Sequence, residues 1–267
     1  MAAPVEVYRV LRVLVNEKPF PLTGLRGSDF LKAFLDIILC HYIAWARAKV
    51  YHHDLTLKDA MYRRFGGKIY GVLIDFNLAT TDNSGHSGLE RTGTAPYMAL
   101  ELLWAATQRE THIAKHLYRQ DLEAFYWTLI WVCNCVGGDG KEIVGPLFRS
   151  FRTGDYLDCY NGKNASTRLR KREQAILVLP IRRPLWVIAQ AWTEDLEDRV
   201  RRGERKAEGW DDPFEPDPQE SWRKFCGILQ SNEVKSGLEA NGEEGKNMLK
   251  VVDDFLELAK RYSITGR

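Results

Sequence analysis

The chain has 267 residues, of which 45% are hydrophobic, 28% charged and 11% aromatic. That composition excludes a wholly disordered, collagenous or low-complexity chain, and the length suits one large domain or two small ones. Its 38 Lys and Arg nearly balance 36 Asp and Glu, so the net charge of +2 supplies no general attraction to nucleic acid or to a membrane surface.

Residues 5–15, Val-Glu-Val-Tyr-Arg-Val-Leu-Arg-Val-Leu-Val, are rich in β-branched residues and read as a strand. The same run carries Glu6, Arg9 and Arg12, which a secretory signal peptide would not. Asn16 to Gly27 holds Pro19, Pro21, Gly24 and Gly27 and reads as a loop. Ser28-Asp29 can then cap a helix whose apolar positions, Phe30, Phe34, Ile37, Ile38, Tyr42 and Trp45, recur at helical spacing until Lys49-Val50. A polar loop from His52 to Asp59 follows, and two short strands flank the Gly66-Gly67 turn, the second being Gly71–Asp75. Asn77 to Ala95 is rich in Gly, Ser and Thr and is expected as an exposed loop.

Leu117–Val136 reads as an aromatic, mostly buried helix ended by Gly137-Gly138. Its most apolar part, Ala124–Cys133, is too short to span a bilayer. The second half of the chain is helical but irregular in pattern. Glu194–Glu220 concentrates charge with Pro213, Pro216 and Pro218 and is expected as an exposed insertion, and Val251–Tyr262 as a closing amphipathic helix. Five cysteines, an odd number, point to reduced thiols in an intracellular protein, cytoplasmic or nuclear. Cys133-Asn-Cys135 has the wrong spacing for a zinc half-site and reads as core.

The chemistry-bearing residues sit at element junctions. Asp54 lies in the loop after the first helix, Asp59 follows five positions on, and Asp75 ends an apolar strand just before Phe76. A loop acid, a polar ligand five residues later and a strand-end acid beyond a hairpin make a phosphotransferase pattern. One carboxylate can accept the acceptor hydroxyl's proton, while the other two offer Mg²⁺ the hard oxygens it prefers. Taken singly, Asp54 is equally a turn former and Asp75 a strand-end cap.

In this arrangement the chain resembles protein kinases. His52-His53-Asp54-Leu55 with Asp59 resembles the catalytic loop H-R-D-L-x-x-x-N. Asp75-Phe76-Asn77 resembles D-F-G, and Arg91–Glu101 the end of an activation segment. Gln120–Phe125 resembles the kinase helix whose Asp, here Asp121, anchors the catalytic loop. The detail of His52–Met61, Ile74–Ala79, Arg91–Ala99 and Gln120–Phe125 is most similar to the fungal-type protein kinases. The resemblance implies a mainly α (α+β) fold: a kinase-like C-lobe with short β hairpins and at most one N-lobe strand. It implies that residues 1–27 form that strand and the hinge, and residues 28–267 the C-lobe. It further implies ATP and Mg²⁺ as ligands, with Asp54 as base, Asp59 and Asp75 on the metal, and Asn16, Glu17 and Met61 around the nucleotide. His52 and Phe76 would pack, and Thr94, Glu101 and Asp121 would shape the activation segment and its anchorage.

Several positions depart from the family pattern. No G-x-G-x-x-G loop or V-A-I-K-type lysine precedes residue 52, and both normally position the ATP phosphates. His53 replaces the arginine that pairs with an activation-loop phosphate, so activation by that route is not expected. Asp59 stands where the metal-binding asparagine belongs and adds charge beside Asp75. Asn77 replaces the D-F-G glycine and Leu100 a proline; both changes are mild. The expected function is therefore an impaired Ser/Thr kinase-like domain. The alternatives are a pseudokinase that binds or scaffolds a protein partner and, against the Gly93–Glu101 match, an aminoglycoside- or choline-type small-molecule kinase. A surface left open where the N-lobe sits would favour self-association.

The basic runs Arg168–Arg172 and Arg199–Lys206 read as solvated faces rather than nucleic-acid patches, and Trp104, Trp127, Trp131, Trp186, Trp192, Trp210 and Trp222 as mostly core. Asn164-Ala-Ser166 matches a glycosylation pattern expected to stay unmodified.

Overall fold

The apolar spacing after Ser28 produces a long helix, α1 (Gly27–Ala48), with Phe30, Phe34, Ile37, Ile38, Tyr42 and Trp45 all buried. The structure, a computed structural model, describes residues 18–81, 93–107, 116–169, 178–205 and 218–262. The strand expected over 5–15 lies outside them, as do Asn16 and Glu17. Ser28 donates its backbone N–H to Glu244 Oε1 at 2.5 Å, so a carboxylate from the far end of the chain caps α1. Lys49, left-handed at φ 53°, ends the helix by donating its N–H to the Trp45 carbonyl at 2.7 Å.

Two small antiparallel sheets follow. Strands β1 (Phe20–Pro21), β3 (Ala60–Phe65) and β4 (Lys68–Leu73) pair in the order β1-β3-β4, and β2 (Val50–Tyr51) pairs with β5 (Thr80–Thr81). Gly66 and Gly67, at φ 55° and 74°, close the β3–β4 hairpin between Phe65 and Lys68 with the positive φ a two-residue turn needs. The hairpin lies against α1 at Gly71: a Cβ there would fall 2.0 Å from the Ala33 carbonyl oxygen, so only glycine permits the approach. The Gly71 N–H donates to Asp36 Oδ2 at 3.2 Å.

Among the described residues the other α-helices are α2 (Leu100–Thr107), α3 (Tyr118–Cys135), α4 (Tyr156–Thr167), α5 (Arg183–Arg205), α6 (Pro218–Gln230), α7 (Asn232–Glu239) and α8 (Gly242–Tyr262). The fold is mainly α with small antiparallel sheets. Every residue of α3 except Arg119 is buried, as expected of a helix enclosed on all sides. The charged stretch after Glu194 begins as helix, α5 running on to Arg205, and its continuation over residues 206–217 lies outside the described residues. Leu185, Ile188, Ala189, Trp192 and Leu196 give that helix one buried face, which the exposed Glu194 and Asp198 do not interrupt. Likewise α8 starts nine residues before the expected Val251, because Met248 extends the buried stripe of Val252, Phe255, Leu256 and Ala259. All five cysteines are free, and no described helix is long and apolar enough to cross a membrane.

The C-terminal helices are part of the same core. Trp222 of α6 stacks on Tyr42 of α1 with ring centroids 3.9 Å apart and planes at 4°, and Phe225 and Phe255 pack around it. Trp222→Ala should therefore cost about 3–5 kcal/mol in denaturant unfolding. Trp222→Phe should cost clearly less, since it keeps a ring and removes an indole N–H that is buried without a partner.

Candidate active site

The loop His52–Asp59 leaves β2 and enters β3, and its course is fixed from below by one carboxylate. Asp121, in the first turn of α3 and 2% exposed, accepts four hydrogen bonds. The backbone N–H groups of His52 and His53 donate to it at 2.7 and 3.1 Å. The Nε2 atoms of His41 and His116 donate at 2.9 and 2.8 Å. Burial would raise this carboxyl's pKa, but the charge and hydrogen bonds of His116 and His41 outweigh it and hold the group well below the usual carboxylate range. The anchored amides keep His53 in a left-handed conformation, φ 70°, that a non-glycine residue seldom adopts.

On that base the loop presents its side chains. His52 is buried; its Nε2 lies 3.0 Å from the Ile74 carbonyl, which can only accept, so Nε2 carries the proton. The His52 ring also packs against Phe76 at 4.8 Å. His53 turns the other way: its Nε2 is 2.5 Å from Thr80 Oγ1, and its ring lies 4.2 Å from that of His116. Asp54 is half-buried and accepts from Thr94 Oγ1 at 2.8 Å. The two residues border a shallow, solvent-open depression that Tyr97, Met98 and His116 also line.

Asp59 and Asp75 differ in setting. Asp59 is buried, and its Oδ2 accepts from Thr56 N–H at 2.9 Å and Thr56 Oγ1 at 2.7 Å. Burial raises its carboxyl pKa, the Thr56 bonds and His52 oppose the rise, and the charge of Asp75 adds the smallest contribution. The expected repulsion between the two acids is thus real but secondary to burial. Asp75 is exposed and left-handed at φ 62°, turning the chain from β4 into the 3-10 turn Phe76–Leu78. The Ile74 N–H donates to the Asp59 carbonyl at 3.1 Å, which holds the two segments side by side. Among the described residues no group of three or more His, Cys, Asp or Glu could hold a metal unaided. Two carboxylates nevertheless suit Mg²⁺, which takes few protein oxygens and completes its shell with water and phosphate. Met61 is half-buried on β3, opposite Pro21 and Val72.

The segment that follows Gly93 is clamped from three helices. Glu101 of α2 receives Arg119 Nη2 at 2.9 Å and Gln120 Nε2 at 2.6 Å, while Gln120 Oε1 accepts the Leu117 N–H at 2.9 Å. Glu123 of α3 accepts the Leu100 N–H at 2.8 Å and Trp127 Nε1 at 3.0 Å. From α4, Lys163 Nζ donates to the Met98 carbonyl at 2.6 Å, and Cys159 Sγ to the Ala95 carbonyl at 3.2 Å. Lys163 is fully buried, 4.4 Å from the Trp127 ring centroid. Burial lowers its ammonium to about 8, with Cys159 and Glu123 opposing the fall.

Sequence reasoning left four of these residues aside. His41 interrupts the apolar face of α1 and Glu123 that of α3, so an isolated polar residue on a buried stripe was the available signal. His116 and Lys163 carried none, one lying before a helix and the other on a helix with little apolar patterning.

A loop acid held above a buried helix, a strand-end acid beyond a hairpin and a tethered segment leading to Glu101 define a protein-kinase-like domain. Residues 21–133 match the family described as fungal protein kinase. No curated protein matches the sequence.

Removing the anchor tests the arrangement. Asp121→Ala leaves two loop amides and two imidazoles without their acceptor and should cost about 3–5 kcal/mol. Because the folded pKa of Asp121 is depressed, its stabilisation is complete above the unfolded value of 3.8 and is lost as pH falls toward the lower folded value. The variant's acid limb below about pH 4 should accordingly be flatter than that of the parent in urea titrations.

Lys163 gives the opposite limb. Its folded pKa lies below the model-peptide value of 10.5, so between about pH 8 and 10.5 the unfolded chain binds the extra proton. Stability from this group therefore rises across that window. The difference in unfolding free energy between the parent and Lys163→Met should shift in the parent's favour from pH 8 to 10, measured by denaturant titration at each pH.

Proposed function

We propose that this domain transfers the terminal phosphoryl group of ATP to a protein Ser or Thr hydroxyl, with Asp54 as the proton acceptor. The observation that carries the reading is the Asp54–Thr94 hydrogen bond at the depression, on a loop pinned by Asp121. An acceptor hydroxyl entering that depression comes within reach of a carboxylate whose position is already fixed, so little reorganisation precedes proton transfer. Mg²⁺, when bound, neutralises charge building on the phosphate oxygens. Asp75, exposed at its turn, and Asp59 are the residues that would hold it, and Met61 would face the nucleotide base. The hinge positions Asn16 and Glu17, outside the described residues, complete that proposal. The tethering of Glu101 to Arg119 and Gln120 supports a protein acceptor over a small molecule, because it fixes a segment on which a peptide can lie.

One observation favours a second reading, a pseudokinase that binds a protein partner without turnover. Asp59 spends Oδ2 on Thr56 and is largely withdrawn from solvent, which weakens it as a metal ligand. Exposed Phe20, Phe65, Phe76 and Leu78 near the hairpin also support the expected self-association, to be read by sedimentation at rising concentration.

The experiment is thermal melting with Mg²⁺ and with Mg²⁺ plus ATP, alongside phosphoryl transfer to a generic protein acceptor. The kinase reading expects Mg²⁺ to raise the midpoint by mass action, Asp75→Asn to abolish that rise, and Asp54→Asn to remove transfer while leaving the rise intact. Absence of both responses leaves the binding-module reading.

A further inference from the structure

Behind the segment that leads from Gly93 to Glu101 stands a buried cation. Lys163 of α4 has no exposed surface, and its Nζ donates to the Met98 carbonyl at 2.6 Å. The ring centroids of Trp127 and Phe151 lie 4.4 and 5.9 Å from that nitrogen. The titratable groups that face it are Cys159 of its own helix and Glu123 of α3. Burying an ammonium is costly, and aromatic faces offset only part of the cost. A neutral hydroxyl or amide would hold one carbonyl without that penalty.

Met98 is the far end of a run of hydrogen bonds that reaches Asp54. Its N–H donates to the Thr94 carbonyl at 3.2 Å, and the Tyr97 N–H donates to the same oxygen at 2.8 Å. Thr94 Oγ1 in turn donates to Asp54 Oδ1 at 2.8 Å. α4 grips this turn twice. Cys159 and Lys163 lie one helical turn apart, and Cys159 Sγ reaches the Ala95 carbonyl at 3.2 Å. From α3, Glu123 accepts the Leu100 N–H at 2.8 Å. A cation thus holds the carbonyl of Met98 and an anion the amide of Leu100, so the two peptide groups flanking Ala99 are fixed by opposite charges. The Met98 side chain lines the depression beside Asp54.

We propose that Lys163 is a positioning residue for phosphoryl transfer: through Met98 and Thr94 it fixes the Asp54 carboxylate against the incoming hydroxyl. This role rests on Asp54 acting as the proton acceptor, whereas the hold on the turn does not. A charged donor grips a carbonyl more tightly than a neutral one, so loss of the Lys163 proton loosens Met98 and with it Thr94. Burial lowers the ammonium to about 8, which places that loss just above neutrality. The same loss relieves the burden of the buried charge. Above that pH, the stability this group contributes and its grip on Met98 move in opposite directions, and a merely structural lysine would show no such divergence.

Two measurements on the full chain test it. Amide exchange, expressed as protection relative to each amide's intrinsic rate, needs no catalysis. Lys163→Met should lower the protection of Tyr97 and Met98 about tenfold relative to Leu129, whose amide in the α3 core reports global opening. Lys163→Gln keeps a neutral donor and should recover part of that protection. In the parent, Met98 protection should fall as pH rises through about 8, and in Lys163→Gln it should not. If Lys163→Met does not fold by circular dichroism, the parent's pH series and Lys163→Gln decide the matter. Phosphoryl transfer to a generic protein acceptor should show Lys163→Met losing kcat with KM little changed, and the parent's kcat falling through the same pH while that of Lys163→Gln does not. Thr94→Val cuts the relay beyond the turn. Its loss of kcat, about tenfold, should not deepen when Lys163→Met is added. Equal changes at Met98 and Leu129, additive losses in the double variant, or the parent's pH profile retained by Lys163→Gln would overturn the proposal. A chain that transfers nothing removes the role at Asp54, and exchange alone then decides the hold on the turn.

Discussion

A single buried carboxylate organises this molecule. Asp121 replaces four separate water contacts with four protein donors: two amides of the His52–Asp59 loop and two imidazoles from different elements. Burying an ion is costly unless each lone pair is met, and here the meeting groups come from α1, from the loop and from the residue range just before α3. The first turn of a helix also favours negative charge, so the helix itself contributes to holding the anion. The loop geometry, including the left-handed His53, is thus a consequence of satisfying Asp121 and not of the loop's own propensity.

The same stretch of α3 serves two more segments. Gln120 joins Glu101 to the Leu117 backbone, and Glu123 takes the first amide of α2. Three neighbouring polar side chains on one otherwise buried helix therefore set the His52–Asp59 loop, the segment leading to Glu101 and the start of α2 relative to one another. α4 closes the arrangement from the opposite side through Lys163 and Cys159. Because these tethers share partners, substitutions among them should couple and not add.

How much of this was legible in the sequence follows the range of the signal. α1 was legible because its apolar residues repeat at helical spacing, and α3 because an aromatic run ends at paired glycines. The hairpin was legible from Gly66-Gly67 between two β-rich runs. The extents of α5 and α8 were not: charge density after Glu194 hid a buried face set by only one residue in three or four, and the first turns of α8 are mostly polar. At the site, Asp54, Asp59 and Asp75 could be picked out by order and spacing. Their differing environments could not, since the burial of Asp59 depends on packing and its bond to Thr56 on the local turn. Lys163 acts across a sequence distance that no local pattern encodes, and His116, though only five residues before Asp121, precedes the helix and so falls outside its periodicity.

The departures from the family pattern become physically connected once placed. At the arginine position of the catalytic loop, His53 pairs its ring with Thr80 and lies beside His116. An arginine there would add a permanent charge next to the His116 imidazole, whereas histidine can stay neutral and still bond a hydroxyl. The substitution thus exchanges a fixed phosphate-pairing cation for a short internal link between the catalytic loop and β5. Asp59 follows a similar logic. An asparagine has an amide donor to place, but a carboxylate can spend one oxygen on both donors of Thr56 and so cap its own turn. Both changes move side-chain capacity from ligands toward the loop itself, leaving Asp54 and Asp75 as the acids turned outward.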